Sequence, residues 1–301
     1  MIYQLLPLAI FFGSLIVPFC IAYWIRYQRR GRRSPLTVQL LRSPGETLAQ
    51  LIDKHSEDID LYFTFSTITP LLCFTMYLSM RYFGKENVSW ITLSLVGLGF
   101  MVFFNMKLVT LLKKRNNLIL GLDCERAVGQ ELNQLMLDGF RVYHDFPAEN
   151  FNIDHIVIGP NGVFAVETKG RAKQIKGDVN IIYDGEGLQF PTHYERAPFE
   201  QAKRQANWLA KWLTSAVGAQ VAVRPVLVFP GWYIERKKPG MLIYNGKNPQ
   251  AVYKIQSGEI LSPEMVQRIS HQVEQKCRDV EAQAYQKTKS ERLIDTGQES
   301  K

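Results

Sequence analysis

Asn152-Ile153-Asp154-His155-Ile156-Val157-Ile158-Gly159-Pro160-Asn161-Gly162-Val163-Phe164-Ala165-Val166-Glu167-Thr168-Lys169 decides the fold. Two β-rich runs flank a Gly-Pro-Asn-Gly turn, and an antiparallel hairpin is the most local way to pair them. With Pro160 and Asn161 as the loop, Gly159 faces Gly162 and Ile158 faces Val163. The register then carries outward until Asp154 faces Glu167. Opposed side chains in such a pair have Cβ atoms roughly 4.5 to 5.5 Å apart. Two carboxylates at that spacing repel each other, and a hard divalent cation, Mg²⁺ or Mn²⁺, removes the conflict by taking oxygens from both. Lys169 follows Glu167 by two residues and shares its face, where an ammonium can offset charge on a phosphate.

Upstream, Val128, Leu132, Leu135 and Met136 recur at helical spacing until Gly139, and Phe140 to Tyr143 reads as a strand. Downstream, Trp208, Leu209, Trp212 and Leu213 mark one helical stripe, and Ala222 to Phe229 reads as a strand in which Pro225 demands an edge or an irregularity. Ser262-Pro263-Glu264 starts a further helix with Met265, Val266, Ile269, Val273, Cys277 and Val280 on one face. A frayed tail is expected after about Lys287.

The amino-terminal third has a different character. Leu5 to Ile25, Leu61 to Met80 and Val88 to Met106 carry no Asp, Glu, Lys or Arg over 21, 20 and 19 residues. Each is long enough to cross a hydrocarbon layer as a helix. These three spans, near 5–25, 61–80 and 88–106, make up a membrane region 1–112, with a basic and amphipathic cytoplasmic segment 26–60 between the first two. Arg26, Arg29, Arg30, Arg32 and Arg33 follow the first run, which is the reverse of a cleaved secretory signal. Lys107, Lys113, Lys114 and Arg115 follow the third. The Lys/Arg rule places both clusters inside, the amino terminus outside, and everything after about residue 110 in the cytoplasm of a multi-pass inner or plasma membrane protein. The formal net charge is +8. Cys20, Cys73, Cys124 and Cys277 have neither metal-ligand nor disulfide-framework spacing. The uncharged cores of the spans argue against an ion path, and no Lys-Ser/Thr phosphate loop suggests nucleotide hydrolysis.

Residues 121–230 resemble the nuclease-related domain family, a branch of the PD-(D/E)xK nuclease superfamily. The resemblance rests on Glu125-x-x-Val128-x-x-x-Leu132-x-x-Leu135, the Ile153-to-Phe164 run, Glu167-Thr168-Lys169 and Pro198-x-x-Gln201. It implies an α/β fold with a restriction-endonuclease-like α-β-β-β-α-β core, here preceded by three transmembrane helices. The core helices are expected near 123–138 and 197–216, three strands over about 140–169 and the last strand at 221–229. The domain is expected over 113–260, with 261–301 as a helix and tail.

The resemblance further implies catalytic roles for Glu125, Asp154, Glu167, Lys169 and Gln201. Asp154 and Glu167 would be the metal ligands, Glu125 a third candidate ligand, and Mg²⁺ or Mn²⁺ the cofactor. Cys124 stands where the family commonly has glycine. Glu131 shares the first helix with Glu125 but points about 240° away from it. Lys173, Lys176, Lys203, Arg204 and Lys211 are candidate phosphate contacts. The implied function is membrane-anchored, divalent-metal-dependent hydrolysis of nucleic-acid phosphodiesters, with DNA ahead of RNA. The alternatives are a catalytically weak nucleic-acid-binding module and a membrane scaffold with a nuclease-like fold. The bilayer is an expected partner, and a protein partner or oligomer is open.

Overall fold

The computed structural model describes residues 16–25, 27–28, 35–36, 38–82, 89–177, 179–253 and 260–281. The start of the first apolar run, the arginine cluster, the 83–88 turn and the tail beyond 281 lie outside them. Two units are distinct, 42–277 on one side and the two chain ends, 1–41 and 278–301, on the other. The terminal unit contains the apolar helix Ile16–Ile25 and a two-stranded pairing of Leu40–Leu41 with Arg278–Val280. Val280 is therefore in a strand, and the helical stripe expected to include it stops at Cys277.

The larger unit begins with a hairpin of two long helices, α1 (Glu46–Tyr82) and α2 (Trp90–Asn133). Both are long and apolar enough to cross a membrane, and almost none of their apolar windows is buried in protein. At 1.5 Å per residue their 37 and 44 residues span about 55 and 66 Å, well beyond the about 30 Å of a hydrocarbon core. Each is therefore longer than one crossing requires. From Glu46 onward, the segment 26–60 read as basic and amphipathic is the first part of α1. The helix expected at 123–138 is the last part of α2, prolonged by a 3₁₀ turn (Gln134–Asp138). The expected boundary at 112/113 falls inside unbroken helix. Charge changes there, but nothing in Lys113-Lys114-Arg115 interrupts helical hydrogen bonding.

Then follow β1 (Arg141–Pro147), β2 (Asn152–Gly159) and β3 (Gly162–Thr168). The short strands β4 (Asn180–Tyr183), β5 (Leu188–Gln189) and β6 (Tyr194–Glu195) come next. After α3 (Ala197–Val217) the chain forms β7 (Val223–Val228), β8 (Tyr233–Arg236), β9 (Leu242–Tyr244), α4 (Pro249–Tyr253) and α5 (Pro263–Cys277). The main sheet has the order β9-β7-β3-β2-β1. It is antiparallel through β1, β2 and β3 and parallel through β3, β7 and β9. A second mixed sheet, β6-β5-β4-β8, is inserted around it.

The hairpin register is Gly159↔Gly162, Ile158↔Val163 and onward to His155↔Val166. Pro160 and Asn161 form the turn, and Gly162 at φ 121° occupies a conformation that side chains disfavour. One face of the sheet packs Ile156, Ile158, Val163 and Ala165 against Leu209 and Leu213 of α3 and Ile269 and Val273 of α5. The other packs Val157, Phe164 and Val166 against Val128 and Leu132 of α2. The domain is thus helix, sheet, helix in layers, and the membrane-derived helix is one of those layers. Pro225 fits because β9 pairs with β7 only from Val226 onward, so the proline lies where β7 still has a free edge on that side.

Candidate nucleic-acid and metal site at the end of the hairpin

Strand alternation breaks at Asp154. Ile153 and Ile156 enter the same core cluster although they are three residues apart, as do Tyr143 and Phe146 on β1. The β1–β2 ladder pairs His144 with His155 and Phe146 with Ile153 but skips the two aspartates between them, and Asp145 has φ 48°. Regular pleating would bury both aspartates under α3 and α5, and the irregularity brings them to the sheet end instead.

At that end Asp154 Oδ2 accepts the Thr168 backbone N–H at 2.6 Å. Glu167 is 2% exposed. Its Oε1 receives the Lys169 ammonium at 2.5 Å and the Gln201 amide at 2.8 Å. Glu167 Oε2 is buried with no hydrogen-bond partner among the described residues. Glu125, also buried, joins the group from α2. Burial pushes its carboxyl up to about 8, and the Asp145 and Glu167 carboxylates add to the rise while Lys169 opposes it. Asp154 is likewise raised well above the usual carboxylate range, first by burial, then by Glu167 and Glu125, against the Thr168 N–H and Lys169. Glu125, Asp154, Glu167, Lys169 and Gln201 are therefore brought together, from α2, β2, β3, the chain just after β3, and α3.

As a donor set these residues suit a hard cation: they offer only carboxylate oxygens, one of them buried and unpartnered, with three acids against one lysine. Their oxygens do not converge, however. Among the described residues no three His, Cys, Asp or Glu side chains are gathered to hold a metal ion.

The expected phosphate contacts are placed differently. Lys203 Nζ sits 4.1 Å from the Phe199 ring centroid. Lys173 donates to the Gly231 carbonyl and lies 5.8 Å from the Trp232 ring. Lys176, Arg204 and Lys211 are exposed. Among the described residues none of the five bonds to the acid cluster. Glu131 accepts a hydrogen bond from Gln134 at 3.1 Å and raises Tyr244 rather than the site acids.

Two features escaped the sequence reading. Asp145 Oδ2 receives Arg42 at 2.6 Å, the Thr47 backbone N–H at 2.9 Å and the Thr47 hydroxyl at 2.7 Å, so it caps the start of α1. Gln205 holds the Asn152 carbonyl at 3.1 Å, steadying the strand just before Asp154. His155 and His144 join Nδ1 to Nδ1 at 2.9 Å on the opposite face, and burial lowers His144 to about 4 and His155 well below its usual value. A neutral, buried histidine pair is structural here, and His155 does not share the face of Asp154.

Comparison with curated proteins and with solved structures found no match. Residues 120–230, the segment holding every member of this cluster except the capping contacts from Arg42 and Thr47, match the family model described as NERD, nuclease-related domain.

Proposed function

We propose that this chain is a membrane-anchored nucleic-acid-binding module of nuclease-related type, catalytically weak, with DNA preferred to RNA. The observation that carries it is that, among the described residues, the site acids do not gather into a group that could hold a metal ion. Burial and mutual repulsion favour the protonated forms of Glu125 and Asp154, leaving Glu167 and Lys169 as a neutralising pair. Such a site does not repel a phosphodiester, yet it holds no activated nucleophile. The Lys/Arg rule supports a cytoplasmic domain and an external amino terminus.

Metal-dependent hydrolysis is the second reading, favoured by the unpartnered Glu167 Oε2. Asp154 and Glu167, with Glu125, are the residues that would hold Mg²⁺ or Mn²⁺. A bound divalent ion would supply Lewis-acid stabilisation and an acidified water. Lys169 would then stabilise the reacting phosphate and Gln201 would keep Glu167 in position.

The test uses the full chain in detergent with linear duplex, nicked duplex, single-stranded DNA and RNA, in EDTA, Mg²⁺ or Mn²⁺. Binding that persists in EDTA with slow or absent cleavage is expected. Efficient metal-dependent turnover that falls more than tenfold in Lys169→Ala would replace this reading with the enzyme. Absence of binding to all four would leave the scaffold.

A further inference from the structure

Gly170, directly after Lys169, lies against α2. A β-carbon built on it would stand 3.1 Å from Cys124 Sγ and 3.2 Å from the Leu120 carbonyl oxygen. One face of α2 is thereby fixed as the floor beside the lysine of the site. Seven residues along a helix turn 700°, only 20° short of two full turns. Lys113 thus lies beneath Leu120 and Asn117 beneath Cys124, while Asn116 is about 60° to the other side of Lys113, so the three share a face about 100° wide. Lys113, Asn116 and Asn117 are all exposed. The opposite face of α2 is occupied by α1, through Arg115 to Ser56 Oγ at 3.0 Å and Leu122 at Gly45. Lys113 has no ion pair among the described residues, whereas Lys173 and Lys203 are engaged with aromatic rings.

We propose that Lys113, Asn116 and Asn117 form a phosphate-contacting rail along α2 that continues the Lys169 site toward the membrane, and that its occupant is the backbone of a nucleic-acid strand. This rests on the nucleic-acid reading above. The charge and the amide donors match phosphodiester oxygens, which side-chain amides and lysines both contact without reading sequence. Lys113 is seven residues, about 10 Å along the axis, from Leu120, so rail and site are within reach of neighbouring phosphates of one strand. A lipid headgroup is the poorer occupant. Asn116 and Asn117 lie ten and eleven residues beyond Met106, where the uncharged run ends. That is about 15 Å of helix, and Lys113, the rail's one charge, stands about 10 Å past Met106, beyond the about 8 Å over which physiological salt lets surface charge act.

The experiment measures single-stranded and duplex DNA binding by fluorescence anisotropy from 50 to 300 mM salt, with the full chain in detergent. Lys113→Ala/Asn116→Ala/Asn117→Ala replaces exposed helix positions with the best helix former, so circular dichroism is expected to stay unchanged. Affinity should fall at least tenfold and the slope of log K against log salt should shrink by about 1. Lys113→Arg should keep the slope. Lys276→Ala, on the exposed side of α5, should stay within twofold of wild type. Wild-type affinity in the triple variant overturns the rail while leaving the nucleic-acid reading intact. Unchanged DNA binding with weakened flotation on anionic vesicles also overturns it and assigns the surface to headgroups. A wild-type chain that binds no nucleic acid overturns the rail together with the reading on which it rests.

Discussion

Glu125 and Asp154 are acids that the fold holds away from their charged forms, and this has a consequence for stability. A carboxyl with a raised folded-state value retains its proton after the unfolded chain has lost it. Its contribution is most favourable below the unfolded value and is lost as pH rises through the folded one. For Glu125 the window runs from its ordinary 4.5 to about 8. Unfolding of the full chain in detergent is therefore expected to show stability declining from pH 5 to pH 8 in the absence of divalent ions. Glu125→Gln, which keeps the shape and cannot ionise, should flatten that decline and raise the midpoint at pH 8. An equally steep decline in the variant would mean that Glu125 is not the group retaining its proton. The Asp145 oxygen that faces the start of α1 is satisfied by Arg42 and Thr47. Asp154 and Glu167 could be read as neighbours because the hairpin turn and the Glu-x-Lys spacing are local in sequence, while Glu125 came from the resemblance alone. The role of Asp145 was not legible, since its partners Arg42 and Thr47 are 103 and 98 residues away.

α2 carries the largest difference between sequence and structure. Hydropathy changes sharply after Met106 and a basic triplet follows, so a membrane span and a separate domain helix were expected. Helix formation responds to backbone hydrogen bonding and propensity, however, and Lys, Arg, Asn and Leu over 107–120 sustain it. The β2-β3 hairpin, α3 and α5 were readable because turn residues and apolar stripes bound them on both sides. The inserted sheet was harder to read, as two of its strands, β5 and β6, are two residues long and are held by tertiary pairing rather than by pattern. Continuity of α2 can be tested at Lys114. Within a helix, Lys114→Pro removes one hydrogen bond and clashes with the preceding turn, at about 3 kcal/mol. Lys114→Ala should be near neutral. The proline variant should consequently show a clearly lower thermal midpoint in detergent, followed by near-ultraviolet dichroism of the domain. At the first position of a separate helix the same proline would be tolerated, so matching midpoints in the two variants would restore the boundary at 112/113.

At the scale of the whole molecule, the α1–α2 hairpin constrains which side of the bilayer each segment can occupy. The start of α1 is capped by Asp145, and Glu125 joins Asp154 and Glu167 from the far part of α2. Both ends of the hairpin therefore meet the same end of the sheet. If α1 crosses outward and α2 returns, the domain stays on one side and the 83–88 connection must emerge on the other. The Lys/Arg rule gives the expected side: Lys107, Lys113, Lys114 and Arg115 follow the third apolar run, and five arginines follow the first. An epitope inserted after Asn87 should thus be removed by protease added to intact spheroplasts, while one fused after Lys301 should be protected until the membrane is opened. The reverse pattern would invert the orientation and remove the domain from cytoplasmic nucleic acid. Protection of both tags would mean that the hairpin lies on the inner surface without crossing. The rail on α2 would then have to compete with the bilayer for its exposed face, and the triple variant would be expected to loosen membrane association as well as DNA binding.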